Sequence, residues 1–153
     1  MITVVIPYRE GEPIGRPPEG DETLWMNSDL GIGEGRIKGA QQASYDRMVF
    51  VDADGVYPDD FIDKVEDAIN SGEYPDGFWC VRKGGFVRTY LESGLVVHRD
   101  LFLERVKHFL PNHRRDIGEL FEDLPTNDEI TYRHGLTKRE RGVLAAIFFF
   151  LLL

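Results

Sequence analysis

The runs "ITVVI" (2–6) and "RMVFV" (47–51) constrain the fold more than anything else in this chain. A strand with one wet face alternates apolar and polar residues. These runs are continuously apolar apart from Thr3 and Arg47 and rich in β-branched residues, as strands covered on both faces are. Strands buried that way belong to parallel sheets, whose neighbours are joined by a crossover of about a dozen residues or more, usually carrying a helix. "GEGRIKGAQQASY" (33–45) lies between the two runs and supplies such a helix. The expectation is an α/β fold, a mostly parallel central sheet with helices on both faces and right-handed crossovers.

The remaining segments extend that pattern. Pro7 is expected to stop the first strand, and the prolines and glycines of "GEPIGRPPEGDE" make a loop before a second strand at "TLWMN" (23–27). "PDDFIDKVEDAINSG" (58–72) places Pro58 and two acids in a first turn, sets Phe61, Val65, Ala68 and Ile69 on one stripe, and ends at Gly72. That pattern predicts a helix starting at Pro58. Further strands are expected at "GFWCVR" (77–82), "FVRTY" (86–90), "LVVHR" (95–99) and "EITYR" (129–133). Helices are expected at "DLFLERVKHFL" (100–110), opened by Asp100 and closed by Pro111, and at "DIGELFEDL" (116–124).

In a parallel sheet the ligand crevice lies beyond the carboxyl ends of the strands. The second buried run leads there into "DADG", so Asp52 and Asp54 end an apolar strand with two like charges. Residues two apart in an extended segment point the same way, and both carboxylates would then face one site. Unpaired, they would repel and raise one another's pKa. A divalent cation shared with a diphosphate removes that conflict, and hard oxygen donors suit magnesium or manganese. Two solvated aspartates in a turn with Gly55 is the plain alternative. A second functional alternative is a haloacid-dehalogenase-like phosphatase with Asp52 as nucleophile, which the "DADGV" motif resembles. That motif stands on the first strand in such enzymes, whereas a whole strand unit precedes it here.

Composition narrows the partners. With 18 Lys and Arg against 27 Asp and Glu, the net charge of −9 argues against generic attraction to nucleic acid. Any phosphate handled here needs a local cation. The single cysteine, Cys80, excludes an internal disulfide and a multi-cysteine zinc site. "MITVVIPY" has none of the regions of a signal peptide, so a cytoplasmic setting is the default expectation.

Three stretches, "TVVIPYRE", "GIGEGRIKGAQQASYDRMVFVDADGVYPDDFIDKVEDAI" and "SGLVVHRDLF", stand in an order and spacing that resemble the family-2 glycosyltransferases of the GT-A fold. The likeness covers most of residues 2–134. It implies one catalytic domain over 1–137, with a nucleotide-sugar half of about 1–82 and an acceptor half of about 83–137. It further implies a metal-dependent, inverting transfer from a nucleotide-diphosphate sugar to a glycan, lipid or protein acceptor. On that resemblance Pro7, Tyr8, Arg9 and Glu10 embrace the nucleotide base, Arg36 faces the nucleotide, and Asn27 or Asp29 stands where the family reads the base. Asp54 binds Mn2+ or Mg2+ directly, with His134 as a further ligand, while Asp52 addresses the ribose or a metal-bound water. Ser93 and Gly94 fall in the segment lining the sugar and acceptor pocket. The catalytic base is Asp116, preceded by Arg115 where the family has glutamate, with Asp123 of the literal Glu122–Asp123 pair as the alternative. Ile37 replaces the family's asparagine beside Arg36. A nucleotide- or glycan-binding protein without turnover is the third alternative.

The tail stands apart from all of this. After "KRERG" come eleven apolar residues, "VLAAIFFFLLL" (143–153), where a membrane-spanning helix needs about 20. With Lys138, Arg139 and Arg141 in front, it suits peripheral contact with an anionic membrane. A helix packed on the domain or on a second copy, and a longer hydrophobic segment cut short, are the other readings.

Overall fold

The computed structural model describes residues 1–84, 93–109, 117–133 and 138–153, with side chains from 141 onward in the last segment. Its centre is a six-stranded sheet: β1 (Thr3–Tyr8), β2 (Glu22–Asn27), β3 (Arg47–Phe50), β4 (Gly77–Lys83), β5 (Leu95–His98) and β6 (Thr126–Arg133). The order is β2-β1-β3-β5-β4-β6. β1 pairs in parallel with β2 and β3, β4 pairs in parallel with β6, and β5 runs antiparallel to both its neighbours. The helices are α1 (Ile32–Gln42), α2 (Phe61–Asn70), α3 (Arg99–Val106) and α4 (Lys138–Leu152), with a 3-10 turn at Ile117–Phe121. This mixed α/β sheet, mostly parallel, agrees with a GT-A-like architecture.

The continuous apolar runs turn out to be two interleaved sets. Val4, Ile6, Val49, Val51 and Val96 face one core with Phe61 and Val65 of α2. Val5, Met48, Phe50, Leu95 and Val97 face the other with Ala40 of α1 and Phe102 of α3. Period-two side chains on a strand covered twice leave no polar position to alternate with, which is why the sequence shows an unbroken run. Cys80 lies in the first core, and burial pushes its thiol pKa up, so it acts as a small apolar residue.

Several boundaries differ from the expectation, each for a local reason. β1 does not stop at Pro7 but continues to Tyr8, paired with β2 alone beyond Val5. Val5 accepts from Val51 on the β3 side and Tyr8 accepts from Ser28 on the β2 side. By alternation Pro7 turns its missing N–H toward β3, which has already ended, so no ladder bond is lost. Helix α2 begins at Phe61 rather than Pro58, because residues 58–60 form a preceding turn closed by Phe61 N–H donating to the Pro58 carbonyl at 3.0 Å. Helix α3 is capped not by Asp100 but by His98, whose Nδ1 accepts from Asp100 N–H at 3.2 Å, and it ends at Val106. The expected helix at 116–124 is a 3-10 turn. The expected strand "FVRTY" lies outside the described residues.

Helix α1 seats on β1 through Gly39, where a built Cβ would fall 2.4 Å from Cγ1 of Val5. Alanine in an exposed helix gains about 1 kcal/mol over glycine. Here the γ-methyl it meets belongs to Val5, a fully buried β-branched side chain with no room to turn. Overpacking of about 1–3 kcal/mol then outweighs the propensity gain. Gly39→Ala is therefore expected to lower the melting temperature, read by circular dichroism; a rise would show that α1 is free to lift off the sheet.

Candidate functional site

β1, β2, β3, β4 and β6 all point their carboxyl ends to one edge of the sheet, and antiparallel β5 starts there. The edge gathers Tyr8, Asn27, Asp52 and the Ser93–Gly94 step that leads into β5. A cleft of about 230 Å³ opens at this edge, lined by Pro7, Tyr8, Arg9, Glu12, Pro13, Ile32, Asp52, Ala53, Asp54 and Arg141. Tyr8 meets Trp25 of β2 edge to face, with ring centroids 6.1 Å apart.

Both aspartates line this cleft, though not as an extended pair. β3 ends at Phe50, and residues 52–55 form a turn in which Gly55 N–H donates to the Asp52 carbonyl at 3.2 Å. The turn is held from two sides. Gly15 N–H donates to the Ala53 carbonyl and Arg16 N–H to the Gly55 carbonyl, each at 2.8 Å. Val56 exchanges two backbone hydrogen bonds with Arg133 at the end of β6. Gly15 permits the first clasp, since a Cβ there would sit 2.4 Å from the Gly55 carbonyl oxygen. A backbone atom cannot give way as a flexible side chain can.

The protein itself answers part of the like-charge problem. Arg36 on α1 is 3% exposed and places Nη2 3.7 Å from Oδ1 of Asp52. Asp52 thus faces an internal cation while lining the cleft together with Asp54. Arg36 lies beneath Asp52 and is buried there, so its charge reaches the cleft through that carboxylate.

Other predicted residues take varied positions. Pro7, Tyr8 and Arg9 line the cleft, while Glu10 is exposed and its N–H donates to Asp29 at 3.1 Å. Asn27 turns its side-chain oxygen back onto Asp29 N–H at 3.0 Å, so these two residues tie the ends of β1 and β2 together. Ser93 is buried, its hydroxyl 2.6 Å from the Tyr132 hydroxyl. Gly94, at φ +84, donates to the Phe50 carbonyl at 2.8 Å, and a Cβ there would press on the Tyr132 ring. Asp123 sits elsewhere, gripped by Arg105, whose Nη2 donates to its Oδ2 at 2.9 Å. The Arg105 hydrogen bonds hold its carboxyl pKa below the usual range, which makes it a weaker base. Asp116 and His134 lie outside the described residues.

A divalent cation fits the donor set in one sense only. Among the described residues no group of three or more His, Cys, Asp or Glu side chains could cage a metal. The cleft offers the carboxylates of Asp54 and Asp52, hard oxygen donors of the kind that hold magnesium through one or two contacts while substrate phosphates complete the shell.

Tyr57 is the residue that sequence reasoning missed. Its hydroxyl accepts the Asp52 N–H at 2.9 Å, and its ring stacks on Tyr132 at 4.8 Å between centroids. Burial, then the negative charge of Asp52, push its pKa well up, so it stays a neutral phenol. The sequence signal was slight, an aromatic residue between Gly55 and Pro58 in a segment otherwise made of turn residues.

The family model described as glycosyl transferase family 2 matches residues 23–126, about two thirds of the chain. No curated protein matches it.

Tyr57→Phe keeps the stack and removes the acceptor for a part-buried backbone N–H, a loss worth about 1–3 kcal/mol. The melting temperature is expected to fall by roughly 2–12 °C, at about 2–4 °C per kcal/mol for a domain this size. Amide exchange at Asp52 should accelerate with it. Exchange at Asp52 as slow as in the parent would remove Tyr57 from its role under the turn.

Proposed function

The chain belongs to glycosyl transferase family 2, and on that premise we propose that it moves a hexosyl group from a nucleotide-diphosphate donor to an acceptor hydroxyl, with inversion and with Mn2+ or Mg2+ bound. The observation that carries the reading is the cleft at the carboxyl ends of β1 and β3, lined by both Asp52 and Asp54, with Arg36 set 3.7 Å from Asp52. In this reading Tyr8, Pro7 and Arg9 bind the nucleoside, with Glu10 and Asn27 at the rim, and Asp52 orients the ribose. Asp54, with His134, holds the divalent ion. When bound, that ion supplies Lewis-acid stabilisation to the charge growing on the leaving diphosphate. Asp116 takes the proton of the acceptor hydroxyl while the acceptor oxygen bonds to the anomeric carbon and the bond to the diphosphate breaks on the opposite face. A carboxylate near its ordinary pKa is ionised at neutral pH and serves as that base. Asp123 is the weaker choice because Arg105 already occupies it and depresses its pKa. Ser93 and Gly94 bear on the sugar from beneath, through the wall they form with Tyr132.

No observation favours phosphoester hydrolysis through Asp52, whose carboxylate lies 3.7 Å from the Arg36 guanidinium. Binding without turnover remains the comparison for experiment.

Two measurements test the reading together. A panel of uridine and guanosine sugar diphosphates is screened by thermal shift with and without manganese, since ligand that prefers the native state raises the melting temperature. Metal-dependent leakage of the sugar to water is followed in parallel. Asp54→Asn is expected to abolish the manganese-dependent shift and to lower turnover by about 100-fold or more. Asp116→Asn should leave the shift and remove turnover. A shift without turnover in the parent protein points to binding alone, and no change on Asp54→Asn sinks the metal assignment.

A further inference from the structure

Helix α4 carries a surface that the transferase reading leaves unused. Every residue from Val143 to Leu153 is apolar, and exposure rises from 39% at Val143 to 66% at Phe148 and 90% at Leu153. A helix that docks into a groove on a protein needs one apolar stripe, with polar residues elsewhere. Here successive residues, about 100° apart, are apolar through nearly three turns, so no single face is marked for a partner. A surrounding that covers a helix on all sides is hydrocarbon or the middle of a large core. The first turn of α4, ahead of the apolar run, carries Lys138, Arg139 and Arg141, with Glu140 the one acid among them. In a chain of net charge −9 this is a local reversal of sign. It matches anionic headgroups placed directly above an apolar interior.

We infer that α4 inserts into an anionic lipid bilayer, apolar residues 143–152 in the hydrocarbon and the basic residues at headgroup level. Ten helical residues reach about 15 Å, roughly half the hydrocarbon thickness. Among the described residues no helix is long and apolar enough to cross a membrane. Arg141 also lines the cleft with Tyr8, Arg9 and Asp54, so insertion brings the cleft mouth to the lipid surface. The inference depends on charge and apolarity at α4 alone and stands whether or not the cleft turns over a donor.

The test uses the full chain with vesicles of phosphatidylcholine, with and without phosphatidylglycerol. Flotation is expected with the anionic vesicles and about tenfold less without them, and Lys138→Ala with Arg139→Ala should narrow that gap. Phe148→Trp, Phe149→Trp and Phe150→Trp then probe three directions around the helix. All three tryptophans should shift to the blue and be quenched by brominated lipid. Blue shift of one alone, with the others wet, would mean docking on a single face and would overturn the inference. So would failure to float with either vesicle, or a lipid-free dimer, seen by light scattering, that shields the same tryptophans.

Discussion

Two carboxylates at the end of a strand buried on both faces repel one another, and in this chain Arg36 balances the first of them. The guanidinium approaches Asp52 from α1 at 3.7 Å while almost wholly excluded from water. Such a pair adds little net stability, because desolvating both ions offsets most of their attraction. Its importance is positional. Removing one partner from a buried pair typically costs about 3–5 kcal/mol, so the anion and the cation hold one another in place. The helix that brings Arg36 in depends in turn on Gly39, which lets its backbone approach Val5 of the central strand.

Around that pair the turn at 52–55 is held by three separate parts of the chain. The loop after β1 clasps it through Gly15 and Arg16, the end of β6 through Val56 and Arg133, and the core beneath through Tyr57. Tyr57 stacks on Tyr132, which hydrogen-bonds Ser93 at the entrance to β5. The acidic turn and the start of β5 therefore share one rigid wall. Displacement of either moves the other, a physical link between the turn proposed to meet the donor's phosphates and the segment proposed to meet its sugar. A site built on strand ends and cross-braced in this way is preorganised, and preorganised charge is what stabilises a developing anion without reorganisation cost.

Asp123 and α4 illustrate how context reassigns residues that look similar on paper. Asp123 has the residue type of a base, but Arg105 of α3 holds it just beyond the 3-10 turn and so ties that turn to α3. Helix α4 has the composition of a core helix, yet its apolar side chains at 143–144 and 147–152 are exposed to solvent. In both cases the neighbour decides what the chemistry can be used for.

The α/β class, both central strands, the α2 stripe and the acidic turn at the strand end were legible in the sequence. All of them rest on short-range periodicity or on chemistry concentrated in a few adjacent residues. The strand through Pro7, the His98 cap, the true start of α2, and the bracing by Gly15 and Tyr57 were not. Pro7 is tolerated because β3 stops short of it, and Tyr57 matters because Tyr132, far along the chain, supplies its stacking partner. The pairing of Arg36 with Asp52 belongs with these, since only the packing of α1 on β1 sets a cation under that carboxylate. Local pattern determined which elements form. Which residues share a site was decided by the tertiary structure, because burial and electrostatic pairing depend on distances that separation along the chain does not encode.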